Sequence, residues 1–177
     1  SADMKEMDSL ISDLAEAESM STRHTSLNRQ PHSVSHLITT ELNKHFRDSG
    51  IESPEASSND YVLLDEMRIR LLLKNLLKNS LQHTAPDQPR PTVSAEVNEE
   101  GLVLVVKDSG EGIDEKHLER ITEAFYRPDA SRQRKTGGVG LGLYLCRNIV
   151  SAHGGTMEID SGTGRGTTVI VRIPHKV

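Results

Sequence analysis

Apolar residues recur at steps of three and four in four stretches of the chain, and each stretch predicts an amphipathic helix. The four predicted helices are Met4 to about Met20, Ser33–Arg47, Asp65–His83 and Leu143–His153. The first has a narrow apolar face with acidic residues beside it, which is typical of a helix that packs against a partner helix. Asp114 is expected to cap a shorter helix that continues to Ile121.

Runs rich in β-branched residues, bounded by turn residues, predict five short strands. Tyr61–Leu64 stands alone. The other four form two antiparallel pairs, Thr92–Val97 with Leu102–Lys107 and Met157–Asp160 with Thr167–Ile173. The polar run Ser21–Ser33 resembles a linker, and the proline-containing segment Ala85–Pro91 is a predicted loop. Helices that alternate with strand pairs in this way predict an α/β domain.

The length of 177 residues suits one compact domain with a short extra element. We place the boundary after residue 27, so that residues 1–27 hold the N-terminal helix with its linker and residues 28–177 form the globular domain. The net charge of −5 argues against a nucleic-acid binder, which normally carries a basic face. It leaves a nucleotide site open, because glycine-rich backbone can hold phosphate with few cationic side chains.

A single cysteine, Cys146, excludes an intramolecular disulfide and is consistent with a reducing cytoplasm. No apolar run reaches the roughly 20 residues that a membrane-spanning helix needs, and no signal-peptide pattern is present. We therefore expect that any membrane attachment lies outside this chain.

A row of polar residues lies along the predicted helix Asp65–His83. Asn75, Asn79 and His83 follow one another at four-residue steps and so share one side of the helix, next to its apolar stripe. Two asparagines in mid-helix need a physical reason, because asparagine is a mediocre helix former. A bound ligand would satisfy their amides, and hydrogen bonds to neighbouring backbone would do so equally well.

Two glycine-rich turns add candidate binding chemistry. Asp108 ends a predicted strand and precedes Gly110 and Gly112, so its carboxylate could accept from an exocyclic amine or simply cap the turn. The second turn, Gly137–Leu143, opens the last helix, where backbone amides can approach an anion. It is not a P-loop, because no Lys-Ser or Lys-Thr follows the glycines.

In their order and spacing these motifs resemble those of the catalytic ATP-binding domain of bacterial sensor histidine kinases, over about Ser33 to Pro174. The matching segments are an asparagine box, a first glycine box, a phenylalanine box, a second glycine box and a glycine–threonine turn: Asn75–Asn79, Asp108–Gly112, Phe125–Arg127, Gly138–Leu143 and Gly164–Thr167. The resemblance implies the Bergerat ATP-binding fold. This is a two-layer α/β sandwich, with a mixed sheet covered by helices on one face and here preceded by a short N-terminal helix.

The resemblance also implies a role for each matching residue. Asn79 would hold Mg²⁺ through its amide oxygen, Asn75 would lie beside the phosphates of ATP, and His83 could stack on adenine. Asp108 would accept from the adenine amine, and Thr167 would reach the same pair of groups, directly or through water. The remaining contacts to ATP would come from glycines and apolar residues, namely Gly110, Gly112, Ile113, Phe125, Gly138, Gly140, Leu141, Gly142 and Leu143.

One departure from the family concerns positive charge near the phosphates. Many relatives place a lysine three residues after the second asparagine, whereas this chain has Gln82. We expect a cation from the predicted lid, Phe125–Gly138, to compensate. Four lid residues could do so. Arg127 and Lys135 complete the catalytic set with Asn79, and Arg132 and Arg134 are the other two candidates.

A second departure is that none of the eight histidines precedes an acidic residue, as the phosphoacceptor histidine of the family does. Residues 1–27 match the end of the second dimerisation helix and its linker. We therefore expect a kinase domain that donates the γ-phosphoryl group of Mg-ATP to a histidine outside this chain. That histidine would lie on the dimerisation helices and would relay the group to a response regulator. The expected location is the cytoplasmic part of an inner-membrane sensor, and this fragment is expected to contact neither membrane nor nucleic acid.

Two alternatives remain open at this point. One is an ATPase of the wider superfamily, which would need a water-activating glutamate on the asparagine helix. Glu66 lies too early on that helix for this role. The other is a nucleotide-binding interaction module with degenerate catalysis, which the absence of the lysine would fit.

Overall fold

The computed structural model describes residues 3–5, 7–8, 11–12, 14–15, 27–53, 60–124, 126–127 and 141–175. The residues described between 3 and 15 are helical. From residue 29 onward the described helices and strands are, in chain order, β1 (Arg29–Ser33), α1 (Val34–His45), β2 (Tyr61–Asp65), α2 (Glu66–Gln82), β3 (Thr92–Val97), β4 (Gly101–Asp108), α3 (Glu115–Leu118), α4 (Gly142–Ala152), β5 (Thr156–Ser161) and β6 (Thr167–Pro174).

Four strands form one sheet in the order β3-β4-β6-β5, in which every neighbouring pair is antiparallel. A parallel bridge between Glu52 and Thr92 at the outer edge of β3 makes the sheet mixed. At the same end of the strands, Thr167 pairs with both Asp108 and Ser161. The ends of β4, β5 and β6 therefore meet at one corner of the sheet.

Only one face of this sheet carries the hydrophobic core. Its buried residues alternate along the strands, and the register places them opposite one another on one face: Val93, Leu102, Leu104, Val106, Val169, Val171 and Ile173. Helices α1, α2 and α4 pack on this face and share its apolar cluster. This arrangement confirms the predicted two-layer α/β sandwich with helices on one face.

The first strand is a correction to the sequence analysis, which assigned its residues to a linker. Arg29–Ser33 instead pairs antiparallel with β2 in a separate two-stranded sheet. Nothing in the segment alternates in hydrophobicity, and it contains Pro31, so periodicity could not reveal it. The pairing depends on a partner strand about 30 positions away, which local sequence does not report.

The start of α1 depends on a residue outside the helix. Ser33 is the N-cap and accepts from the amide of His36, while its own hydroxyl donates to Asp60 at 2.8 Å. The second carboxylate oxygen of Asp60 accepts from the amide of Ser35 at 2.6 Å. Asp60 therefore satisfies a donor of the first turn that would otherwise lack a partner, and it brings negative charge to the helix N-terminus.

Asp65 connects the beginning of the domain to two long helices. Its carboxylate accepts from the backbone amides of Asn28, at 3.0 Å, and Arg68, at 3.1 Å, and so caps α2. Its own amide donates to Nε2 of His153 at 3.1 Å. The ring of His153 is fully buried at the end of α4, and Nδ1 lies 2.8 Å from the carbonyl of Ile149. Because that carbonyl can only accept, Nδ1 carries the proton and the ring is neutral.

We expect the free energy of unfolding to decrease as the pH falls below about 6.5, because of His153. Burial is the largest influence and lowers the pKa of His153 below its ordinary value of 6.5, so the unfolded chain takes up the proton first. Arg29 and Arg68 also lower the pKa of His153, whereas the carbonyl of Ile149 and the carboxylate of Asp65 raise it.

Urea unfolding at several pH values between 8 and 5 would measure this dependence, with His153→Gln as the control. The variant should be less stable and should lose the slope in this range. Equal slopes in the two proteins would show that His153 is not responsible. The capping carboxylates titrate in a separate range, because the pKa values of Asp60 and Asp65 are lowered from 3.8.

The N-terminal helical residues keep their apolar side chains exposed. Four large ones have exposed fractions between 42% and 68%: Met4, Met7, Ile11 and Leu14. The expectation that this face packs against a partner helix stays a prediction. Among the described helices, none combines the length and the apolar character required to cross a bilayer.

Candidate functional site

The predicted polar row lies on α2, and its two asparagines differ in their hydrogen bonding. Both are half-buried beside a stripe of buried leucines. The Asn75 side-chain NH₂ donates to the carbonyl of Leu71 at 2.9 Å. Within the described residues, the side-chain amide of Asn79 has no hydrogen-bond partner. The side-chain oxygen of Asn79 is therefore available to a hard cation such as Mg²⁺, and so is Oδ1 of Asn75, whose hydrogen bond uses only its NH₂ group.

The N-terminus of α4 lies against the same side of α2. A Cβ atom placed on Gly142 would be 3.4 Å from Oδ1 of Asn75. At the other ends of the two helices Asp65 contacts His153, so α2 and α4 run antiparallel. Leu141, the N-cap of α4, makes no side-chain capping bond, which leaves the first-turn amides available for an anion. Leu141 is buried, and Leu143 is half-buried in this first turn.

Asp108 occupies the corner where β4, β5 and β6 meet, and only 4% of its surface is exposed. Oδ1 accepts from the amide of Gly110 at 2.9 Å. Burial raises the pKa of the Asp108 carboxyl above its ordinary value of 3.8, against smaller opposing effects of the Gly110 and Thr167 amides and of His83. A buried carboxylate is costly in free energy unless hydrogen-bond donors surround it, and a nucleobase amine can be such a donor.

The first glycine turn is wedged between backbone segments on two sides. A Cβ on Gly110 would lie 2.0 Å from the carbonyl oxygen of His83, the exposed C-cap of α2. A Cβ on Gly112, whose φ is +77°, would lie 1.9 Å from the carbonyl oxygen of Gly162. The sequence analysis expected a contact with ATP at Gly112, and the structure gives the close approach of the Gly162 backbone as the physical reason for glycine there.

One residue of this corner was not identified from the sequence. Ser161 is 6% exposed, and its hydroxyl accepts from the amide of Ile113 at 2.8 Å and donates to the carbonyl of Gly166 at 2.9 Å. It also lies 2.8 Å from the hydroxyl oxygen of Thr167, which is 5% exposed. A single serine at the end of a strand has no motif or spacing that would have revealed it.

The polar row of α2 connects the two halves of the candidate site. Asn75 is next to the start of α4, and His83 is next to Gly110, so the row extends from the second glycine box to the first. Its members follow at steps of four residues, so it spans about 12 Å. The structure thus brings together the asparagines, the buried carboxylate, Ile113 and Thr167 along one edge of the sandwich.

Some predicted site residues fall outside the described part of the chain. These are Phe125, Arg132, Arg134, Lys135, Gly138 and Gly140. Arg127 is described and half-buried. Its neighbour Tyr126 is fixed against α3, because its hydroxyl bonds to Nδ1 of His117 and Cζ of Arg120 lies 4.5 Å from its ring centroid.

Known proteins with related sequences include a sensor histidine kinase and a sensor protein. The family described as "Histidine kinase-, DNA gyrase B-, and HSP90-like ATPase" matches residues 64–177. The sensor histidine kinase WalK of Bacillus subtilis (strain 168) is 42% identical over 118 residues, which cover 66% of this chain and 19% of WalK. The sensor protein SrrB of Staphylococcus aureus (strain MRSA252) is 30% identical over 174 residues, 96% of this chain and 30% of SrrB. The chain therefore spans less than a third of the length of either relative.

Solved structures show the same fold. Full-length ShkA in complex with AMPPNP has a TM-score of 0.77 at 24% identity, covering 96% of this chain and 36% of ShkA. The mycobacterial sensor histidine kinase MprB has a TM-score of 0.69 at 24% identity, covering 84% of this chain and 98% of MprB. These neighbours confirm the predicted Bergerat fold. Given the family match over residues 64–177, this chain belongs to the histidine kinase-, DNA gyrase B- and HSP90-like ATPases.

Proposed function

We propose that this chain binds Mg-ATP and donates the γ-phosphoryl group to a histidine of a dimerisation helix, for relay to the receiver domain of a response regulator. One observation carries the proposal. The polar row of α2 joins a buried, acceptor-rich corner at Asp108 to the uncapped N-terminus of α4. Such a site has one end for an amine-bearing base and another for phosphates. The relative WalK is a sensor histidine kinase, which favours phosphoryl transfer over the other reactions of the superfamily.

The base would bind at the corner of the sheet. Asp108 would accept from the adenine amine, with Thr167 as a second acceptor and Ile113 as an apolar wall. Burial of Asp108 excludes water from this contact, which strengthens it. His83, exposed at the end of α2, would be available to stack on the ring.

The phosphates would bind where α2 meets α4. Asn79 would hold Mg²⁺, which would neutralise charge on the phosphate oxygens during transfer. The NH₂ group of Asn75 is bonded to Leu71, so Asn75 presents Oδ1, an acceptor, toward the first turn of α4. An acceptor suits an amide or a cation better than a phosphate oxygen, so Asn75 would position α4 and the metal ion. Gly142, with Gly138 and Gly140, would allow close approach of backbone amides, and Arg127 or Lys135 would add positive charge.

The wider assignment follows the same proposal. Residues 1–27 would be the end of the second dimerisation helix and its linker, and residues 28–177 the catalytic domain. The hydrogen bond from the amide of Asn28 to Asp65 supports a boundary at this position. The complete protein would be a sensor with this domain on the cytoplasmic side of the inner membrane.

The proposal can be tested with ATP labelled at the γ-phosphate and a separate two-helix fragment that carries a phosphoacceptor histidine. We expect saturable, Mg²⁺-dependent binding of a fluorescent ATP analogue, followed by acid-labile transfer of label to the helix fragment. Negligible ATP binding would contradict the proposal. Binding without transfer would favour a degenerate interaction module, and release of free phosphate at the same rate without the acceptor would favour a superfamily ATPase.

A further inference from the structure

Ser161 has a complete set of hydrogen-bond partners, and this determines where the hydroxyl proton of Thr167 points. A serine hydroxyl has one proton and two lone pairs. Its proton is directed to the carbonyl of Gly166, which can only accept, and one lone pair accepts from the amide of Ile113. The contact of 2.8 Å with Thr167 therefore uses the second lone pair, so Thr167 is the donor in that bond.

Thr167 is thereby left with lone pairs alone for any other partner. Thr167 pairs with Asp108 across β6 and β4, and the alternation of the strands places both side chains on the helix-covered face that carries Val106 and Val169. The ionised carboxylate of Asp108 is also an acceptor only. The corner therefore offers two neighbouring groups that accept hydrogen bonds and cannot donate them.

We infer that Ser161 is a positioning residue that fixes the direction of the Thr167 hydroxyl and so makes the site select a purine amine over a purine carbonyl. The inference rests on the proposed function. Adenine carries an amine at the position where hypoxanthine carries a carbonyl oxygen. With the Thr167 proton committed to Ser161, neither Thr167 nor Asp108 can donate to that carbonyl, and the carbonyl faces unpaired lone pairs.

The test is to compare the affinities of ATP and inosine triphosphate, measured by displacement of a fluorescent ATP analogue in the presence of Mg²⁺. In Ser161→Ala the Thr167 hydroxyl is free to rotate and to donate to the carbonyl. We expect the ratio of ATP affinity to inosine triphosphate affinity to fall by about fivefold, the value of one neutral hydrogen bond. A role of Ser161 in folding alone would lower both affinities by the same factor, and that result would overturn the inference.

A double-mutant cycle with Thr167→Val distinguishes action through Thr167 from a direct effect. Once the Thr167 hydroxyl is absent, adding Ser161→Ala should leave the affinity ratio unchanged. A further fall in the ratio in that background would overturn the inference. If wild type binds ATP and prefers it over inosine triphosphate, while Ser161→Ala keeps that preference, the inference fails and the proposed function stands. If wild type binds neither nucleotide, both fail.

Ser161→Ala leaves three buried groups without a partner, so circular dichroism and thermal unfolding must accompany the binding data. Ser161→Cys keeps a side chain of similar shape with weak donor and acceptor capacity and should give an intermediate ratio. Thr167→Val tests the same inference in a protein that keeps Ser161. It should weaken ATP binding and leave inosine triphosphate binding nearly unchanged, and an equal loss for both nucleotides would also overturn the inference.

Discussion

Replacing Gly112 by alanine is expected to lower the free energy of unfolding by about 3 kcal/mol or more and to abolish nucleotide binding. Two costs combine at this position. The backbone has φ of +77°, a region that costs an L-residue roughly 1–2 kcal/mol. A Cβ would also lie 1.9 Å from the carbonyl oxygen of Gly162, so the turn that follows β5 would have to move. That turn lies between Ser161 and Thr167, so its movement would disturb the base-binding corner.

Gly164 provides a matched control for Gly112. Its φ is +79°, almost the same, but a Cβ there would meet no atom within 4 Å. Gly164→Ala should therefore show the backbone cost alone, about 1–2 kcal/mol, and should retain nucleotide binding. Urea unfolding of the two variants, together with titration of a fluorescent ATP analogue, separates the two effects. Similar losses for both variants would show that the contact with Gly162 contributes little.

Replacing Asn79 by alanine is expected to remove the Mg²⁺-dependent part of ATP binding and to slow phosphoryl transfer by about 100-fold or more. The side-chain amide of Asn79 has no hydrogen-bond partner within the described residues, so the substitution breaks no hydrogen bond among them. Alanine is also the better helix former, and the variant should be equal to wild type in stability or higher by about 0.5 kcal/mol. A loss of activity without a loss of stability is the signature expected of a ligand-binding residue.

The measurement for Asn79 is the affinity for a fluorescent ATP analogue with Mg²⁺ and with EDTA, followed by transfer to a phosphoacceptor helix fragment. Asn75→Ala is the comparison, because Asn75 lies on the same helix and is half-buried like Asn79, but its side chain is bonded to Leu71. We expect Asn75→Ala to weaken binding by about tenfold and to keep its dependence on Mg²⁺. If Asn79→Ala responds to Mg²⁺ as wild type does, another residue holds the metal ion.

The parts of the fold that could be predicted from sequence are those whose signals are local. The apolar stripe of α2 and the hairpin of β3 and β4 each lie within a short window, and both elements were predicted close to their observed bounds. The strand β1 was missed because it is polar and its stability comes from pairing with β2. Its formation is decided by tertiary contact, which a window of sequence does not contain.

The candidate site shows the same division. Strand and helix periodicity with residue chemistry made Asp108 and the asparagine row candidates, and only the resemblance to the kinase family implied a binding role for them. Ser161 could not be found in this way, because its role depends on Ile113, Gly166 and Thr167 meeting at one point in space. The geometric reason for glycine at position 112 was also inaccessible, since the carbonyl of Gly162 lies 50 positions further along the chain.

The hydrogen bonds around Asp65 have a mechanical consequence. The carboxylate that caps α2 also holds the amide of Asn28, and the guanidinium of Arg29 donates to the carbonyl of Ala152 at the end of α4, at 3.3 Å. Force applied along the chain from its N-terminal side therefore reaches both helices at the ends remote from Asn79 and Gly142. Each helix is a stiff rod, so a small rotation at this pivot becomes a displacement of Asn79 and Gly142 relative to one another. Under the proposed function, such a displacement would change the distance between the residue that would hold Mg²⁺ and the glycine turn that would bind the phosphates.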